Sequence, residues 1–309
     1  MLGRVNFAKL LIPDFSLILC GWLVCRYTAL NRPVWVQVEA LVYYFLFPVL
    51  LFQSIIRNPL DVGATSSLIA AGILTGVAGI GMAYALPHIP GLGRHIDRRD
   101  HAASAQVGFR FNSFIALALA DRLAGPQGLA LIAVLIGFCV PLFNMGAVYP
   151  MARESGTHFG GALIRNPLIV ATASGLAANL LGLHIPGWIE PTVNRIGATS
   201  IALGLMAAGA GMQFASLANG KTLAVAVLAC KHFFMPVAAL AFAWLLKLDP
   251  VQSTVLLAFA ALPTASSCYV LAAKMGYNGP YVAALVTLST VAGAASLPFA
   301  LGVLAPLAR

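Results

Sequence analysis

Residues 108–125, GFRFNSFIALALADRLAG, and residues 261–276, ALPTASSCYVLAAKMG, decide how this chain is read. Each sets polar groups in the middle of a long apolar run: Arg110, Asn112 and Ser113 in the first, Pro263, Thr264, Ser266 and Ser267 in the second. Each then passes through apolar residues to a charge and a glycine, Arg122 then Gly125, and Lys274 then Gly276. In a lipid-facing helix an unsatisfied polar group costs several kcal/mol, so interruptions of this kind need a reason. The two stretches lie about five apolar runs apart, and an odd number of spans per repeat inverts the second copy relative to the first. Corresponding interrupted helices in two halves point to the binding site of a transporter.

The rest of the chain supports lipid as the solvent. Its 309 residues are 60% hydrophobic and 9% charged, with mean hydropathy +0.90. Soluble domains run about 45–50% apolar and about 25% charged. Apolar runs fall at 11–30, 34–56, 65–87, 101–122, 127–150, 162–183, 191–215, 221–246, 251–273 and 279–304. Each is close to the roughly 20 residues that a bilayer core of about 30 Å requires. The expected fold is an all-α integral membrane protein of ten transmembrane helices. It forms one transporter domain over 1–309, with a first five-helix repeat over 1–150 and a second over 160–309. Residues 10–25 (LLIPDFSLILCGWLVC) read as the first span and not a removed leader, because Asp14 interrupts the run and no small-x-small cleavage site follows.

The net charge of +9 comes from basic residues in short loops, not from one face, so it speaks for membrane orientation and against nucleic acid. Lys and Arg after odd-numbered spans, led by Arg94, Arg98 and Arg99, slightly outnumber those on the other side. That bias places both termini on the non-cytoplasmic side. Cys20, Cys25, Cys139, Cys230 and Cys268 all lie in apolar runs and form no Cys-x-x-Cys pair, so no metal site or disulfide framework is expected. No Gly-x-Ser-x-Gly, His-Glu-x-x-His or phosphate-binding Gly-x-x-x-x-Gly-Lys motif occurs. An enzyme, a resident cofactor and transport driven directly by ATP are not expected.

Asn112 is the first candidate for contact with a substrate; an interhelical hydrogen bond is the plainer alternative. Pro263 removes a helix donor. Thr264, Ser266 and Ser267 can satisfy the freed backbone or face a ligand, and half-helix N-termini suit a carboxylate. Arg110 and Lys231 are cations at membrane depth with no Asp or Glu at that depth to pair with them. That excess suggests an anionic ligand, unless either group bonds carbonyls or reaches an interface. Asn144, near Pro141, and Gln53 are lesser candidates to line a cavity. His232 could shuttle protons or be a packed, hydrogen-bonded residue. Glycines 72, 76, 79 and 81 form a small-residue stripe that close helix packing explains.

These residues resemble the auxin efflux carrier family in its compact bacterial form, similar to malonate and malate permeases. The likeness covers nearly the whole chain. It shows in Tyr44 to Phe52 (YFLFPVLLF), Gly108 to Ala118 (GFRFNSFIALA), Asn166 to Ile169 (NPLI), Lys231 with Pro236, and most specifically Leu262 to Ala272 (LPTASSCYVLA). The resemblance implies a five-plus-five inverted repeat, as in sodium/proton antiporters and bile-acid symporters, with spans 4 and 9 broken and crossing at the midplane. It implies a scaffold of spans 1, 2, 6 and 7, often a dimer interface, against which spans 3–5 and 8–10 move in an elevator-like alternation. It implies substrates among organic anions such as malonate, malate or indole acetate. The family's crossover asparagine corresponds to Asn112 and its crossover proline to Pro263. Many members carry proline in span 4 where this chain has Ala118, so that break would rest on Arg110 to Ser113. The long loop of plant members between spans 5 and 6 is absent.

The reading that follows is a secondary carrier for small carboxylates, a homodimer in a bacterial inner membrane. Arg110 and Lys231 would attract the anion, and Asn112, Ser113, Thr264, Ser266, Ser267 and Asn144 would read it. Partners beyond substrate and lipid would be protons or sodium ions as coupling species. The alternatives are a cation-coupled symporter of related fold and a membrane receptor or scaffold that moves nothing. The missing carboxylate at the crossover argues against a strong cation site.

Overall fold

The computed structural model describes residues 7–57, 66–154, 167–211, 220–265 and 267–308. These residues form helices and their connections, with no strand among them. The helices are α1 (Phe7–Tyr27), α2 (Arg32–Leu41), α3 (Phe47–Ile56), α4 (Ser66–Ala85), α5 (Arg98–Ser104), α6 (Ser113–Glu154), α7 (Pro167–Leu180) and α8 (Glu190–Ala210). They continue as α9 (Lys221–Ala229), α10 (Met235–Leu245), α11 (Pro250–Ala261), α12 (Ser267–Lys274), α13 (Gly279–Phe299) and α14 (Ala305–Leu307). α6 is two helices joined at a bend. Ala124 (φ −146°, ψ 17°) leaves helical geometry, and Gly125 (φ 55°, ψ −142°) takes a conformation natural only to glycine.

The helix starts follow from short-range chemistry. Asp249 caps α11, its carboxylate accepting from Val251 N and Gln252 N at 2.8 and 2.9 Å, with Pro250 first inside the helix. Asn278 caps α13 by accepting from Tyr281 N, and Asp97 caps α5 by accepting from Asp100 N. Each cap satisfies donors that the first turn leaves unpaired. Prolines act differently inside the longer helices. A wide π-helical turn, Val42–Leu46, Cys230–Phe234 or Ala300–Leu304, comes just before Pro48, Pro236 and Pro306 respectively. The wide turn accommodates a ring that has no N–H to give and would clash with the carbonyl four residues back. The chain thereby continues as one rod instead of stopping.

Five stretches among the described residues are long and apolar enough to cross a membrane: Arg32–Leu50, Ser66–His88, Val134–Arg153, Lys221–Leu245 and Gly279–Leu307. The described residues are thus those of an all-helical protein with membrane-spanning helices. α11, with 12 residues, is apolar but too short to cross alone.

The densest packing falls within two groups of helices, which also touch each other where α6 meets α7 and α1 meets α13. α1 lies along α8, α2 touches α8, and α3 packs on both α7 and α8. α4 packs on α6, α10 and α11; α6 packs on α11; and α12 packs on α13. The glycine stripe lets α4 come close to its neighbours, since a Cβ at Gly76 would stand 2.6 Å from the Phe143 ring. Between α3, α7 and α8 opens an apolar cavity of about 740 Å³ lined by residues such as Pro48, Phe52, Val170 and Ile185. Its lining suits hydrocarbon and not an anion.

Candidate functional site

The site is made by two interruptions. In the first, α5 tightens into a 3-10 turn, Ala105–Gly108, and residues 109–112 leave helical geometry before α6 begins. Ala118 lies inside α6, so this break occurs without a proline. Two other features replace it. Gly108 brings the backbone against Ala83, with a Cβ position only 3.3 Å away. Asn112 then restarts the helix as its cap, its Oδ1 accepting from Ile115 N at 3.3 Å.

The second interruption follows from Pro263. The residue before a proline is pushed out of the helical region, and Leu262 is accordingly extended (φ −57°, ψ 145°). The break frees carbonyls at the end of α11, and each finds a donor. Phe259 O accepts from Leu262 N, Ala260 O from Lys231 Nζ at 3.3 Å, and Ala261 O from Ser296 Oγ at 2.9 Å. Gly293 on α13 makes room for the ring, because a Cβ there would lie 2.6 Å from Pro263 Cγ.

The two interruptions meet. Asn112 N donates to Pro263 O at 2.8 Å, and Thr264 Oγ1 donates to Val107 O at 2.8 Å. Arg110 Nη2 donates to Ser267 Oγ at 2.7 Å. An apolar wall of Phe109, Phe111, Phe143 and Phe259 packs beside the meeting point, the Phe111 and Phe259 rings 4.5 Å apart.

Arg110 is the centre of the polar cluster and is only 6% exposed. Nη1 donates to Gln106 Oε1 at 2.9 Å, and Nη2 donates to Asn144 Oδ1 at 3.0 Å as well as to Ser267. All three partners are neutral. The ion pairs among the described residues, Arg32 with Glu39 and Arg57 with Glu190, lie elsewhere. Gln106, an amide that the sequence alone does not mark as part of the site, holds the cluster together: its Nε2 donates to Ala103 O and to Cys268 O. Its signal is an amide four residues before a buried arginine, one helical turn away. Asn144 Nδ2 is buried and has no acceptor among the described residues.

The expected site residues therefore divide. Arg110, Asn112, Pro263, Thr264, Ser267 and Asn144 come together, with Ser113 half-buried at the first position of α6. Ser266 lies outside the described residues. Lys231 is fully buried with its ammonium on the Ala260 carbonyl, so it closes the broken end of α11, where a cation also suits the helix dipole. Of the roles open to a cation at this depth, Lys231 therefore takes that of bonding a carbonyl. Gln53 bonds Asn194 between α3 and α8, away from the crossing. His232 is tied to the crossing through hydroxyls. Ser296 spends its hydrogen on Ala261 O, so His232 Nδ1 must donate to Ser296 Oγ at 2.8 Å. Nε2 meets Ser289 Oγ at 2.8 Å, and Ser289 in turn accepts from Thr264 N.

A second polar cluster joins the two helix groups. Arg32 Nη1 pairs with Glu39 Oε1 at 2.5 Å, Arg32 Nη2 donates to Tyr269 Oη at 2.6 Å, and Tyr269 Oη donates to Glu39. Arg32 and Glu39 belong to α2, and Tyr269 to α12, two residues after Ser267.

Apolar helices of spanning length around a buried polar crossing define an integral membrane protein of the transporter class. The chain belongs to the membrane transport protein family, that of the auxin efflux carriers, which it matches over residues 93–301. Both interruptions lie within the matched stretch. It is a family of transporters and not of enzymes. No curated protein matches the chain.

Proposed function

We propose that this chain is a secondary carrier that moves small organic anions, mono- or dicarboxylates, by elevator-type alternating access. The observation that carries the reading is Arg110: a buried guanidinium whose hydrogen-bond partners, Gln106, Asn144 and Ser267, are all neutral. Burying a cation without its counter-ion is costly, and the cost makes sense if the ligand brings the counter-ion. Asn112, Ser113, Thr264, Ser266 and Ser267 would read the ligand's remaining oxygens, with the amide ends of α6 and α12 close by.

The ten-span inverted repeat, with halves 1–150 and 160–309, rests on the paired interruptions and on the two helix groups. The group of α1, α2, α3, α7 and α8 would be the scaffold and dimer interface in an inner membrane, with both termini on the non-cytoplasmic side. Lys231 would support the broken helix and raise the local positive potential without touching the ligand. Protons or sodium ions would be the coupling species.

The test is uptake of labelled malonate, malate, succinate and indole acetate into liposomes containing the purified chain, with Asn112→Ala alongside. Saturable uptake of at least one acid, abolished in a variant that still folds, is the expected result. Normal uptake by Asn112→Ala would remove the crossing from the substrate path. No uptake of any acid under imposed proton or sodium gradients would sink the anion-carrier reading.

A further inference from the structure

Asn144 touches Arg110 with only half of its amide. Oδ1 accepts from Nη2 at 3.0 Å, while Nδ2 has no acceptor among the described residues and the residue is 2% exposed. An unpaired buried donor is unfavourable in any folded chain and more so at membrane depth. An aspartate would fit the same space, keep the bond to Arg110, carry no orphaned donor and neutralise the guanidinium. Among the described residues the other titratable groups facing Arg110 are the Tyr43 phenol and the Cys268 thiol, and neither is a carboxylate. The amide at 144 thus leaves two things unsatisfied at one point: a positive charge and an N–H.

A carboxylate satisfies both. One oxygen can take the guanidinium and the other the amide N–H, in the paired-donor geometry that carboxylates favour. We propose that Asn144 sets the sign of charge this site accepts, holding Arg110 through its carbonyl oxygen while leaving the cation uncompensated and offering Nδ2 as a second donor to a ligand carboxylate. The ligand class rests on the anion-carrier reading; the uncompensated charge does not.

The test uses Asn144→Asp and Asn144→Leu in the full-length chain in detergent, followed by intrinsic tryptophan fluorescence on heating. Without ligand, Asn144→Asp should raise the apparent Tm by about 2 °C or more, because a buried cation gains its counter-ion and no bond is lost. Asn144→Leu should lower it. A fall in Asn144→Asp like that in Asn144→Leu would mean that the Arg110 charge is already compensated, and would overturn the proposal. With 10 mM malonate as probe, the wild-type Tm should rise and that of Asn144→Asp should not. Propylamine, a cation of similar size, should do nothing to the wild type. An equal malonate response in the two chains, or none in the wild type, overturns the role in anion selection. A malonate response that Asn144→Asp loses, in a chain that shows no uptake, would sink the carrier reading alone and leave this one standing.

Discussion

Replacing Tyr269 by phenylalanine deletes one hydroxyl and leaves the ring in place. That hydroxyl is fully buried, accepts from Arg32 at 2.6 Å and donates to Glu39. Hydrogen bonds to charged groups contribute roughly 1.5–3 kcal/mol each. Arg32 keeps about a third of its side chain in contact with solvent, so water can replace its lost partner. Glu39 is 2% exposed and retains only the guanidinium. The net loss should therefore be close to one charged bond, about 2 kcal/mol. For a chain of this size that corresponds to an apparent Tm about 4 °C lower. A thermal melt followed by tryptophan fluorescence reads it directly. A cycle with Arg32→Gln should show coupling of about 1 kcal/mol or more, because both changes break the same contact. A Tm within 1 °C of wild type, or additive changes in the cycle, would refute the claim that this cluster fastens α2 to α12.

Arg110→Lys keeps the charge but not the planar fork that reaches Gln106, Asn144 and Ser267, and should raise the KM for the proposed acid substrate about tenfold or more with a smaller effect on maximal rate; concentration-dependent uptake measures it, and an unchanged KM would count against contact between Arg110 and the substrate. Gly293→Ala would press a methyl group into the Pro263 ring from 2.6 Å and should cost about 1–3 kcal/mol; a melt should show the loss, whereas Gly302→Ala, with nothing within 4 Å, should not.

Much of this arrangement is legible in the sequence because lipid penalises polar groups so heavily. Arg110, Asn112 and the run from Pro263 to Ser267 stand out against apolar neighbours. The second break falls at Pro263, which the hydroxyls that follow it in sequence set apart from prolines such as Pro236 and Pro298 that sit inside continuous helices. What could not be read is what depends on partners far along the chain. Lys231 announces itself as a buried cation, but its acceptor exists only because Pro263 frees the Ala260 carbonyl. Arg32 and Glu39, two helical turns apart, look like ordinary residues near a span end until Tyr269, 237 positions from Arg32, arrives between them. Gln106 is an unremarked amide in an apolar run, and only the fold shows that both ends of it are in use.

The bond from Asn112 N to Pro263 O has a consequence for how this architecture tolerates change. It joins peptide group to peptide group and carries no side-chain identity. Substitutions at 110, 144 or 267 can remodel the side-chain cluster at the crossing while the seam between the broken helices persists. The asymmetry of the two breaks follows from the same bond. Proline keeps its carbonyl, so it is welcome at 263, where the acceptor is needed. It has no N–H, so it is excluded at 112, where the donor is needed. The first interruption must be shaped by other means, and in this chain they are a glycine and a cap. Divergence of the polar cluster and persistence of the framework can coexist in such a protein because different parts of the polypeptide, side chains for one and main chain for the other, are responsible for each.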